Sequence, residues 1–74
     1  MAYIAVDSDN GVALETMIDQ AGYEAVLRVM AEIAHAKADH VASNWQDGDL
    51  AKLHTRVGKL IDSCAAKVGE HEPY

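Results

Sequence analysis

Glu32, His35, His40, His54 and Cys64 are the side chains of this 74-residue chain best suited to hold a metal ion or take part in a redox step. Their spacing limits what they can do. His35 and His40 stand five apart, which turns them about 140° from one another, so one regular helix cannot aim both at one ion. No His-Glu-x-x-His run and no paired-cysteine knuckle is present. Glu32 and His35 do make the Glu-x-x-His pair that di-iron bundles place on two helices, and a dimer supplies it twice. Both fall on the polar side of their helix, however, away from the stripe that would line a bundle core. His54 and Cys64 are ten apart and cannot meet from one helix as base and nucleophile. Cys64 sits in an apolar stripe and reads as a small core residue.

The Asp-Ser-Asp-Asn-Gly run starting at Asp7 suggests a calcium loop, but the pattern fails. The sixth position, which needs glycine, is Val12, and the twelfth, which needs a bidentate acid, is Ile18. There is no glycine-rich phosphate loop, and a chain this short leaves little volume for a pocket. The expectation is a protein that is not an enzyme, with no catalytic residue, metal or cofactor. A metal- or redox-binding helical bundle using Glu32, His35, His40, His54 or Cys64 is the alternative.

The elements that would carry these residues are helical. Alanine is abundant, phenylalanine is absent and the single proline is Pro73. Residues 1–10 read as an arm ending in a cap at Ser8, Asp9 or Asn10. A first helix over 11–21 carries Leu14, Met17, Ile18 and Ala21 on one stripe and stops at Gly22. A second over 23–43 has Val26, Leu27, Met30, Ile33, Ala34, Ala38 and Val41 on one side. Its other side carries Glu24, Arg28, Glu32, His35 and Asp39, with Glu24–Arg28 and Arg28–Glu32 as i,i+4 pairs. A hinge over 44–48 leads to a third helix over 49–68, and 69–74 form a tail. Gly58, inside that helix, marks a close crossing.

This pattern predicts an all-α fold: a short first helix followed by an antiparallel helical hairpin that dimerises into a four-helix bundle. Met30, Ile33, Lys37, Val41, Leu53, Val57, Leu60 and Cys64 form the expected core or dimer seam. Lys37 interrupts its apolar row, so it must run its stem along the seam or pair with an acid. A domain this small has marginal stability alone and commonly gains more by oligomerising.

Twelve acids against six bases give a net charge of −6. That argues against nucleic acid as a direct ligand and favours a basic protein partner or simply good solubility. No signal-peptide pattern and no apolar run of roughly 18 residues appears, so no membrane is involved and the chain reads as cytoplasmic.

In the run Asn44-Trp45-Gln46-Asp47, Asn44 suits the end of the second helix and Trp45 closes the bundle end or anchors a partner. Ile18, Asp19 and Gly22, then Lys37, Ala38 and His40, then Asn44 to Asp47 follow an Ile-Asp-x-x-Gly, Lys-Ala-x-His and Asn-Trp-Gln-Asp pattern. The pattern resembles small helical proteins of proteobacteria and their phages that carry no established activity. The resemblance implies a helical fold and no substrate. The functional expectation is a small acidic interaction module that meets a basic protein surface through Glu24, Glu32, Asp39, Trp45, Gln46 and Asp47. One concrete version is a phage-encoded inhibitor of host nucleic-acid machinery, such as an anti-CRISPR.

Overall fold

A computed structural model of the protein describes residues 4–45 and 48–72, with Trp45 described through its backbone. The described residues are helical and include no strand. In chain order they form α1 (Asp9–Ala21), α2 (Tyr23–His40), a widened π turn (Val41–Trp45) and α3 (Gly48–Gly69).

Ser8 starts α1. Its hydroxyl accepts the Gly11 N–H at 3.1 Å and donates to the Ala5 carbonyl at 2.6 Å, so one side chain caps the helix and folds the arm onto it. The arm comes so close that a Cβ at Gly11 would collide with the carbonyl oxygens of Ala5 and Val6. The cap also moves the helix start to Asp9, two residues ahead of the expected Gly11.

Gly22 then does two jobs at φ 89°, where a side chain would be strained. Its N–H donates to the Ile18 carbonyl at 2.7 Å, closing α1, and α2 begins at the next residue. The open N–H groups of Tyr23 and Glu24 each donate to the Glu72 carboxylate at 2.7 Å. The acid thus caps α2 from beyond the far end of α3, where negative charge suits the helix start.

The regular part of α2 ends at His40, short of the expected Ser43. The Val41 N–H is shared between the Lys37 and Ala38 carbonyls, and the chain widens into the π turn. Asn44 donates through Nδ2 to the His40 carbonyl at 3.0 Å, satisfying one of the last helix acceptors. Gln46 and Asp47, the centre of the expected hinge, lie outside the described residues.

α2 packs along α3, its start against the far end of α3 and its middle against the middle. Two glycine notches set this register. The His35 ring lies over Gly58 and the Glu24 carboxylate over Gly69, where a Cβ would stand 2.6–3.0 Å from the side chain. Both the knobs and the notches are eleven residues apart, close to three turns, so each pair shares a helix face.

Along this contact the buried residues are small. They are Ala31, Ala34, Ala38 and Val41 on the α2 side, and Gly58 and Ala65 on α3. As a core within one chain, the expected seam is therefore corrected: of its eight residues only Val41 is buried. Met30, Ile33, Lys37, Leu53, Val57, Leu60 and Cys64 stay exposed. Alanine and glycine let the two helix backbones approach closely, and large side chains in the same rows would hold them apart.

α1 touches α2 but not α3. The molecule measures 40 × 29 × 16 Å. Val26, Val29 and Ile33, which face α1, lie on the flank of α2 turned away from Ala31 and α3, so the three helices stand side by side in one layer.

Ala65 is fully buried and Ala66, beside it, is exposed. Ala65→Leu is expected to lower stability by about 1–3 kcal/mol in urea denaturation, while Ala66→Leu changes it by less than about 0.5 kcal/mol. Equal effects at the two positions would show that Ala65 is not in the helix contact.

Candidate protein-interaction surface

Because the start of α2 meets the far end of α3 and its middle meets the middle, equal rotations from their contact line fall on the same side of the pair. One side is polar. Arg28, Glu32 and Asp39 lie about 60–100° round α2 from Ala31, and Asp62 lies about 60° round α3 from Ala65. His35 Nε2 meets Asp62 Oδ2 at 3.0 Å on this side, both side chains being nearly half exposed.

Arg28 turns toward Glu24, with Nε and a terminal nitrogen each 3.0 Å from Oε2. The expected Arg28–Glu32 pair is not seen, consistent with the better i,i+4 geometry when the acid precedes the base. Of the acids expected to meet a partner, Glu24 is thus engaged by Arg28 and seated over Gly69, whereas Glu32 and Asp39 remain exposed. Gln46, Asp47 and the Trp45 side chain lie outside the described residues.

The other side is apolar. Met30 and Lys37 lie about 240–260° round α2, and Leu53, Val57 and Cys64 occupy about 240–280° of α3. Ile33 and Leu60 sit further toward the outer flanks. Exposure is large for side chains of this kind: Ile33 is 51% exposed, Leu53 50% and Leu60 64%. α1 adds Leu14 and Met17, which line an apolar groove of about 310 Å³ with Val26, Val29, Met30 and Ile33. Lys37 lies beside Ile33, His40, Val41 and His54 in a second hollow, and no ion pair to a described residue holds it.

The alternative ligand set is not gathered. His35 is with Asp62 and His40 with Asn44, while Cys64 is exposed on α3. Among the described residues, no three of His, Cys, Asp and Glu come together as a metal would need. No described helix is long and apolar enough to cross a membrane. Comparison with protein-family models, curated proteins and solved structures finds no match.

Three participants escaped the sequence reading: Asp62, Glu72 and the role of the small-residue rows as the α2–α3 contact. Asp62 and Glu72 act across long chain separations and leave no local pattern. The rows did leave one, since Ala31 and Ala38, and Ala51, Gly58 and Ala65, recur every seven residues.

Gly58→Ala would push a methyl into the His35 ring. That ring is on the surface and can swing away, so the gain in helix propensity of about 1 kcal/mol and the lost contact should nearly cancel. The expected result is a stability change within about 1 kcal/mol together with clear shifts of the His35 imidazole signals in NMR. Unchanged imidazole signals would rule out the ring-over-glycine packing.

Proposed function

We propose that this chain is a non-enzymatic protein–protein interaction module that works as a homodimer. In this reading α2 and α3 form an antiparallel hairpin, and two hairpins close their apolar sides into a four-helix bundle. The acidic sides then face outward toward a basic protein partner. A phage-encoded inhibitor that occupies a nucleic-acid site, an anti-CRISPR among them, is one concrete version, because its acids would stand where phosphates otherwise bind.

The observation that carries the reading is a row of large apolar side chains left uncovered on a layer one helix thick. Area supports it. The accessible surface is 5902 Å² for 8.0 kDa, about a third above the roughly 4,450 Å² expected of a folded monomer of this mass. The excess, roughly 1,450 Å², exceeds the about 800 Å² that each partner contributes to an ordinary stable interface. Large apolar side chains left exposed side by side, as Met30, Ile33, Leu53, Val57 and Leu60 are, mark an interaction site. Glu32 and Asp39, on the opposite side, are left free to meet a basic surface.

Sedimentation equilibrium at micromolar concentration is expected to give about twice 8.0 kDa. Leu53→Asp with Leu60→Asp should reduce it to the monomer mass, since two charges in the seam cost more than the association returns. A wild-type monomer at these concentrations would refute the dimer. Basic proteins captured from a lysate at low salt should be lost with E32K/D39K, and capture unaffected by that double change would remove the acidic face from the reading.

A further inference from the structure

Resting on the dimer reading, we propose how the second copy docks. Its two-fold axis runs parallel to α2 over the α2–α3 contact, each α2 lies over the partner's α3, and α1 lies beside the partner's α3, so that its acids and that helix's bases line the same edge of the dimer.

The three helices lie side by side with α2 in the middle. α1 contacts only α2. Val26, Val29 and Ile33, which line the groove against α1, are about 160–220° round α2 from Ala31, which faces α3. α1 and α3 are therefore the two outer flanks of the layer, and their charges differ. On α1, Glu15 and Asp19 lie about 100–140° round from the groove-lining Leu14, and both are exposed. On α3, Lys52, Arg56, Lys59 and Lys67 lie about 120–200° round from Ala65, and all four are exposed. Four of the six bases in the chain thus sit along one flank of the layer.

Two such layers can close their apolar sides about a two-fold axis in two simple ways. An axis across the helices puts α1 near the partner's α1 and α3 near the partner's α3, so acid meets acid and base meets base. An axis along the helices exchanges the flanks, so each acidic α1 meets a basic α3. Like charges placed across an interface oppose it, and unlike charges set its register.

Heights agree as well, because rotation about an axis along α2 leaves position along the helices unchanged. The groove of α1 runs against Ala25 to Ile33 of α2. The Gly58–Gly69 stretch of α3 runs against His35 to Glu24 of the same helix. Glu15 and Asp19 therefore occupy the same span along α2 as Lys59 and Lys67. This arrangement also places α2 over the partner's α3, which gives each long helix the two long neighbours of a four-helix bundle.

Two charge reversals and their combination test the docking, with the dimer constant read by sedimentation equilibrium at low salt and folding checked by helical circular dichroism. E15K/D19K reduces the net negative charge, so global repulsion alone would tighten the dimer. The proposed docking predicts the opposite, a weakening of about tenfold, because α1 would then oppose a basic flank. K59E/K67E should weaken it similarly, and the fourfold variant carrying both pairs should return to within about threefold of wild type. If a reversal loses its helical signal, E15Q/D19N replaces it and should weaken the dimer by a smaller factor.

A wild-type dimer whose affinity E15K/D19K leaves unchanged or improves, or one the fourfold variant fails to restore, would overturn the docking and leave the dimer standing. A wild type that stays monomeric would overturn the dimer and the docking with it.

Discussion

The close approach of α2 and α3 through alanine and glycine is the constraint from which the rest of the molecule follows. Small residues along a helix contact let two backbones come together, but they bury little side-chain area. Ala31, Ala34, Ala38 and Ala65 cannot supply the burial that several leucines would, at about 1.5–3 kcal/mol each. The large side chains that could are turned to one side of the layer, where a single chain leaves them wet. A domain this small has little stability to spare, and a fold that places Met30, Leu53, Val57 and Leu60 outside its own core would gain from the association proposed above.

Specificity in the α2–α3 contact does not come from buried polar groups, since none of the described side chains is both polar and buried. It comes from fitted shapes. A slip by one helical turn would take His35 and Glu24 off Gly58 and Gly69 together and drive both against side chains, because the same eleven-residue step separates the members of each pair. The Glu72 carboxylate adds a second lock by ending α2 from across the chain. Ser8 acts the same way on a shorter scale, tying the arm to the helix it starts. These ties are polar and peripheral, and they orient helices whose apolar contact is thin.

The helical class was legible in the sequence because a helix writes its periodicity and its caps locally. Gly22 as a stop and the Ser8–Asn10 run as a start are features of a few neighbouring residues, and the structure places both nearly where local chemistry indicates. Gly58 also reads correctly as a close crossing. What could not be read was which of two parallel stripes on α2 meets α3. Ranking by hydrophobicity favours the Met30–Ile33 side, yet proximity of backbones favours the Ala31–Ala38 side. The choice depends on what the third dimension leaves for a second layer, which spacing along one helix does not encode. The π turn was likewise hidden, since Val41 to Trp45 carries a pattern that an ordinary helix would also accept.

The separation of the two sides has a consequence for how the proposed module would meet its partner. Closing the apolar sides turns the polar sides outward in opposite directions, so Glu32, Asp39 and Asp62 of one copy and those of the other face away across the two-fold axis. Each copy keeps four of its six bases on the α3 flank, where the proposed docking would set them beside α1 of the other. The acids of the polar side are then the charges left without an opposing flank. Their excess over Arg28, which is already held by Glu24, accounts for why a chain with six bases would still present an acidic surface. Dimerisation in the proposed arrangement would do more than cover apolar area: it would engage the bases of the α3 flank and leave two acidic faces, back to back, each available to a separate basic partner.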